Sequence, residues 1–109
     1  MANQVLFVVE VAIPDGQQDT YMQLMQSLVA STRQNEPGVL SYNVFLDGNT
    51  FYSIEWYESA EAMVAHMMAA GASAPGAKLL ALGKINRFEF FARKAILGIA
   101  DERGSIESV

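Results

Sequence analysis

The chain has 109 residues, of which 51% are hydrophobic and 17% charged, and it carries a formal net charge of −5. This length fits one domain, predicted over residues 1–109 with a core over about 5–92. The seven basic residues are scattered, which excludes a basic stripe for nucleic acid, and the absence of cysteine excludes disulfides and cysteine-based zinc sites. Because no apolar run approaches the ~20 residues that span a bilayer, we expect a cytoplasmic protein without a membrane partner.

The first half of the chain predicts a strand, a helix and a hairpin. Residues 5–11 are apolar apart from Glu10, which is typical of a strand buried on both faces. From about residue 17 to residue 35, apolar side chains recur at helical spacing, and Pro37 ends this predicted helix. Residues 39–46 and 51–57 are predicted to pair as a β-hairpin, because the residues between them tolerate a tight turn.

The second half predicts a helix and a fourth strand. Ser59 is the predicted N-cap of a helix that runs to about residue 70. A loop is predicted over 71–76, one more helical turn over 78–82 and a strand over 84–92. A short C-terminal extension follows over 93–109, with a short helix predicted at 93–101.

The resulting order of elements, β-α-β-β-α-β, is the split βαβ or ferredoxin-like arrangement. It predicts an α+β fold in which both helices cover one face of an antiparallel sheet. The doubly apolar first strand requires a cover on the other face, and the low charged fraction also favours a buried partner surface. We therefore predict a homodimer with its two sheets packed face to face.

Over roughly residues 6–91 the sequence resembles the antibiotic biosynthesis monooxygenase (ABM) domain family, including quinol monooxygenases. The residues that carry the resemblance are Asn35-Glu36-Pro37-Gly38, Tyr42, Glu55, Tyr57, Ser59, Glu61-Ala62 and His66. It implies a dimeric αβ-barrel and a monooxygenase that oxidises a small phenolic or quinol-type aromatic compound with O₂. It also implies that no metal, flavin or haem cofactor is needed. Two alternatives stay open, a non-catalytic dimeric protein that binds a small molecule and an isomerase of a small polar metabolite.

His66 and Glu55 are the predicted catalytic residues. Histidine is the side chain whose unperturbed pKa lies near neutrality, so His66 is a candidate base for a phenolic proton. Its alternative is a structural bond to a neighbouring carbonyl or carboxylate. Glu55 lies among apolar residues, where an unpaired charge is costly, so it either assists His66 or forms a structural ion pair or hydrogen bond. With one histidine and no cysteine, the chain predicts no metal site.

Six further residues are predicted to bind the substrate. Two offer polar contacts, one an aromatic ring, two are flexible methionines and one is a cation. They are Asn43, Ser41, Tyr57, Met63, Met67 and Arg33. Each has a structural alternative, namely a sheet edge or subunit contact for the polar residues and ordinary core packing for the others.

Successive side chains along each strand of the hairpin point to opposite faces of the sheet, and this decides which of these residues share a face. Tyr42 and Asn43 must face opposite ways, and so must Glu55 and Trp56. We predict that Asn43 and Glu55 face the helices, because the dimer seam should be the drier side. Tyr42 and Trp56 then belong to the interface between subunits.

Overall fold

The computed structural model describes residues 4–92, and within them four antiparallel strands form one sheet with helices on one face. The strand order in the sheet is β2-β3-β1-β4. The elements along the chain are β1 (Val5–Ala12), α1 (Gln18–Asn35), β2 (Val39–Asp47), β3 (Thr50–Tyr57), α2 (Ala60–Ala72), α3 (Ala74–Leu82) and β4 (Lys84–Ala92). The predicted α+β, ferredoxin-like arrangement is confirmed.

The C-terminal extension predicted over 93–109, with its short helix, lies outside the described residues. Among residues 4–92, no helix is both long enough and apolar enough to cross a membrane.

Helix α1 forms as its apolar spacing predicts. Tyr21, Met25, Leu28 and Thr32 are its buried residues, and they recur at helical intervals along one side of the helix. Fully burying a side chain such as Leu or Met stabilises the fold by roughly 1.5–3 kcal/mol relative to leaving it exposed. The helix stops at Asn35 because the following segment runs into Pro37.

The region between residues 71 and 82 differs from its prediction. Helix α2 continues to Ala72, and α3 begins at Ala74, so the loop expected over 71–76 is mostly helical. Ser73 separates the two helices, because its hydroxyl accepts a hydrogen bond from the Gly76 backbone N–H and caps α3. The adjacent proline suits the first turn of a helix, where its missing N–H costs nothing.

One extra residue in β2 sets which side chains face the helices. Val39 pairs with Tyr57, but Ser41 pairs with Trp56, so Leu40 is the additional residue of a β-bulge. Because strand side chains alternate, this single insertion reverses the facing of every residue that follows in β2.

The bulge places Tyr42 opposite Glu55 and Asn43 opposite Ile54. Directly opposed residues in antiparallel strands point to the same face of a sheet, so Tyr42 shares the helix-covered face with Glu55. The prediction that Asn43 joins Glu55 on this face, with Tyr42 at a dimer interface, is wrong. Without the bulge, Asn43 would lie opposite Ser53 and would face the helices as predicted.

The helix-covered side, here called the inner face, holds the core. Its buried apolar residues include Val11, Tyr21 and Phe51 in one cluster and Phe7 and Tyr57 in a second. The opposite side, here called the outer face, exposes large apolar side chains of the described strands. They are Phe45, Ile54, Trp56 and Phe91. Trp56 thus lies on the side predicted for a partner subunit.

Candidate functional site

Three side chains from separate elements meet beneath the helices: Glu36 from the end of α1, Glu55 from β3 and His66 from α2. Glu36 is the C-cap of α1, and its backbone N–H donates to the Thr32 carbonyl. The helix has to end here because Pro37 follows, and this fixes Glu36 beside α2. Two acidic groups and one imidazole are thereby gathered from positions up to 30 residues apart in the sequence.

His66 is 4% exposed and is held from several sides. Its Nδ1 lies 2.8 Å from Oε1 of Glu36, a hydrogen-bond distance, and its Nε2 lies 3.8 Å from Oε1 of Glu55, which is too far for one. Tyr42 contacts the imidazole edge-on, with 5.2 Å between ring centroids, and Tyr57 lies tilted against it at 5.7 Å. The ring is therefore fixed in one orientation, bonded through Nδ1 and, among residues 4–92, without a hydrogen-bond partner at Nε2.

Glu55 is 3% exposed and accepts two hydrogen bonds from its own strand. The donors are the hydroxyls of Ser53 and Tyr57, which lie two residues before and after it and so point to the same face. Burial raises the pKa of the Glu55 carboxyl above its ordinary value, and the two hydroxyl bonds and the nearby His66 only partly oppose this. Burial, together with the charge of Glu55, also raises the pKa of Tyr57.

A cavity of about 230 Å³ lies between the inner face of the sheet and the helices. The polar side chains of its lining are those of His66, Glu55, Ser53 and Tyr42, on β2, β3 and α2, and that of Tyr21 on α1. The remaining wall is overwhelmingly apolar. Its members include Phe7, Val9, Met25, Leu28, Phe51 and Leu79. The unbonded Nε2 of His66 thus lies beside an apolar space with few polar groups, as in many small-molecule sites.

The residues predicted for the site are only partly brought together. His66 and Glu55 lie side by side and line the cavity, as does Met67. Tyr57 lies behind Glu55 and is fully buried, and Met63 packs in the core with Tyr57 instead of lining the cavity.

Three predicted substrate-binding residues lie away from the cavity. Ser41 and Asn43 point to the outer face because of the bulge in β2, and the Asn43 amide donates to the Ser41 hydroxyl there. Arg33 is exposed in the last turn of α1, one residue beyond the buried Thr32, where its charged head stays in water. Substrate contacts for these three residues do not fit this geometry.

Sequence reasoning missed three residues of the site: Glu36, Ser53 and Tyr42. Glu36 belongs to the Asn-Glu-Pro-Gly stretch that carried the family resemblance, yet its pairing with His66 depends on tertiary structure. Ser53 had a local signal, because it stands two residues before a carboxylate on the same face of a strand. Among residues 4–92, no cluster of three or more acidic or histidine side chains is arranged to hold a metal ion.

One protein family matches the part of the chain that contains this site. The model of the antibiotic biosynthesis monooxygenase family matches residues 5–74. No curated protein sequence matches the chain significantly. The matched segment contains Glu36, Glu55 and His66, so the family's sequence pattern covers the whole polar end of the cavity.

Solved structures share the fold at low sequence identity. MupZ from Pseudomonas fluorescens matches with a TM-score of 0.73 and 19% identity over 81% of this chain and 70% of that chain. SnoaB, a cofactor-independent oxygenase from Streptomyces nogalater, gives 0.68 and 18% over 83% and 92%. A conserved protein from Methanosarcina mazei Go1 gives 0.70 and 15% over 85% and 95%. At these identities the likeness is evidence of the fold alone.

Proposed function

This chain belongs to the antibiotic biosynthesis monooxygenase family, and from that premise we propose that it oxidises a small phenolic or quinol-type aromatic compound with O₂. The observation that carries the proposal is the bond between Glu36 and Nδ1 of His66, which leaves Nε2 unbonded beside an apolar cavity. A similar fold in SnoaB, a cofactor-independent oxygenase, supports a reaction that needs no metal or organic cofactor.

His66 is the proposed base. When the Glu36 carboxylate accepts the Nδ1–H, the imidazole is held in the tautomer whose Nε2 carries a lone pair. A substrate hydroxyl in the cavity then donates its proton to Nε2. Positioned general bases contribute roughly 10²–10⁴-fold to a rate, and the apolar walls keep competing water away from the proton.

Glu55 is the proposed partner for the substrate oxygen. The 3.8 Å between Nε2 of His66 and Oε1 of Glu55 is too long for a direct bond, but it suits one substrate oxygen bonded to both at roughly 2.8 Å. That oxygen donates its proton to Nε2 and accepts a hydrogen bond from the protonated Glu55 carboxyl. Ser53 and Tyr57 hold the carboxyl in place from behind. The substrate hydroxyl therefore has one defined location, at the polar end of the cavity.

The oxygen step follows from the deprotonated substrate. The phenolate gives one electron to O₂, and the resulting radical and superoxide combine to form a peroxide at a ring carbon that carries hydrogen. His66 returns the proton to the peroxide, and breaking the O–O bond with loss of the ring hydrogen as a proton leaves a carbonyl and releases water. One oxygen atom of O₂ is then in the product and the other is in water, so no external reductant is consumed.

The proposed assembly is a homodimer joined through the outer faces of two sheets. Phe45, Ile54, Trp56 and Phe91 are each 37–51% exposed on that face. Apolar patches of this kind mark interaction sites, and two-fold pairing of identical faces is the commonest symmetry of protein dimers.

The lining of the cavity argues against the isomerase alternative. A phosphorylated substrate would need cationic side chains, and no lysine or arginine of residues 4–92 lines the cavity.

The test is oxygen uptake by chelator-treated protein against hydroquinones, anthrones and catechols. We expect substrate-dependent uptake above the autoxidation blank, reduced by roughly 10²–10⁴-fold in His66→Ala. His66→Asn is the matched variant, because its amide N–H can still donate to Glu36 while no base remains. Uptake that survives in both folded variants contradicts the role of His66. Saturable binding of panel compounds without uptake would favour the non-catalytic ligand-binding protein.

A further inference from the structure

The cavity has a polar end and an open apolar end, which lie on opposite sides of β1. Glu55 and Ser53 line the polar end from β3, whereas Ile85 and Phe88 line the other side from β4, and both of the latter are 45% exposed. The strand order puts β1 between β3 and β4, so these two ends are roughly 10 Å apart across the sheet. Residues that line a cavity and are also exposed mark its opening to solvent.

Gly71, in the last turn of α2, also lines the cavity and is exposed, as is Leu80 of α3, so both residues meet this criterion for an opening. A glycine inside a helix costs roughly 0.5–1 kcal/mol relative to alanine, because it loses more backbone freedom on folding. Its presence at this point therefore calls for a reason in backbone conformation, in packing or in the cavity.

Neither conformation nor packing supplies that reason. Gly71 is not among the glycines with positive φ in the described chain. Within residues 4–92, a Cβ built on it would have no atom within 4 Å outside its immediate chain neighbours and helix backbone. Two other glycines of the cavity wall behave differently. A Cβ at Gly76 would collide with the Ala70 carbonyl oxygen, and one at Gly83 would collide with Cγ1 of Val11.

We infer that Gly71 sets the width of the ligand that can enter the cavity, because its missing side chain leaves the opening clear for a flat ring system. The inference rests on the proposed function in that the ligand is an aromatic compound whose hydroxyl reaches His66. A single ring is narrow enough to pass a side chain at position 71, whereas a fused ring system extends from the polar end back into the opening. Gly71 is thus a specificity-determining residue and not a catalytic one.

The test is an NMR titration with phenol and with 2-naphthol in the absence of O₂. The chain has one histidine, so the imidazole C–H resonance of His66 reports binding at the polar end of the cavity. For Gly71→Leu we expect the Kd of 2-naphthol to rise at least about tenfold, equivalent to ~1.4 kcal/mol, with less than about a twofold change for phenol. Gly71→Ala should give a smaller change in the same direction and a higher melting temperature.

Ala69→Leu is the matched control. Ala69 lies on the same helix, is exposed and does not line the cavity, so the added leucine should leave both Kd values unchanged. Equal weakening of both probes by Gly71→Leu, unchanged binding of 2-naphthol, or no saturable binding by the wild-type protein would each overturn the inference. Because no oxygen is present, the result is independent of turnover. Retained discrimination without oxygen uptake would reject the proposed function alone.

Discussion

The inner face of the sheet buries Glu55 and Ser53, whereas the outer face of the same strand leaves Ile54 and Trp56 more than a third exposed. Both arrangements oppose the usual partition of polar and apolar side chains. A buried carboxyl is tolerated only with bonding partners, and Glu55 has two hydroxyl donors and a nearby imidazole. The two exceptions therefore support different proposals, a chemical site on the inner face and a partner surface on the outer face.

The two faces can be compared most directly by substituting two adjacent residues of β2, Tyr42 on the inner face and Asn43 on the outer face. Tyr42→Ala removes a ring that packs edge-on against His66, so oxygen uptake with the best panel substrate should fall by roughly a hundredfold or more, within the range lost with a positioned base. Its free energy of unfolding should also fall by about 3 kcal/mol, as for other aromatic truncations. Denaturant titrations and oxygen-electrode rates measure the two effects.

Asn43→Ala is the partner experiment on the outer face. Its side chain is exposed and bonds only to Ser41 among the described contacts, so stability should stay within about 0.5 kcal/mol and uptake should be unchanged. A loss of activity in Asn43→Ala with Tyr42→Ala unaffected would mean that the facing of β2 is the reverse of the one described.

The outer face is tested by placing a charge in its centre. Ile54→Asp adds one carboxylate per subunit to a surface that must become dry in the proposed dimer, and unpaired buried charges cost several kcal/mol. We expect the dimer Kd to rise by at least about a hundredfold, measured by sedimentation at micromolar concentration. Gln34→Asp, on an exposed position of α1, should leave association unchanged. A wild-type protein that sediments as a monomer would contradict the interface itself.

The contact between Glu36 and His66 gives a smaller effect. In Glu36→Gln the amide oxygen can still accept the Nδ1–H, so the tautomer persists while the negative charge beside the ring is lost. We expect kcat to fall about tenfold, well short of the roughly 10²–10⁴-fold contribution of the whole base, with little change in KM. Glu58→Gln, an exposed substitution of the same kind, is the control. An unchanged kcat would remove Glu36 from the site.

Local pattern predicted the elements well because each depends on nearby residues. The spacing of Tyr21, Met25 and Leu28 predicts α1, and Ser59 accepts the predicted capping bond from the Ala62 N–H. The facing of β2 was predicted wrongly because a bulge at Leu40 leaves no mark in simple alternation. The site was half predicted, since Glu55 and His66 stand out chemically, whereas the bond to Glu36 exists only once folding brings the end of α1 to His66 of α2.

The smallest expected effect is on the pH dependence of stability, and it tests the consequence of burying the Glu55 carboxyl. Because the pKa of this carboxyl is raised in the folded protein, the folded state keeps its proton at pH values where the unfolded chain has lost it. Stability therefore falls as the pH rises from the unfolded pKa of roughly 4.3 through the raised folded value, and the loss is complete above it. Below the unfolded pKa both states are protonated and the contribution vanishes.

Glu55→Gln removes that titration while keeping a side chain of the same shape between Ser53 and Tyr57. Denaturant unfolding of both proteins between pH 4 and pH 8 should give a variant whose stability relative to wild type increases with pH. The exposed Glu58→Gln should follow wild type throughout. The opposite slope, with wild type gaining on Glu55→Gln as the pH rises, would mean that the hydroxyl bonds and His66 outweigh burial, and that Glu55 is held as a stabilised anion.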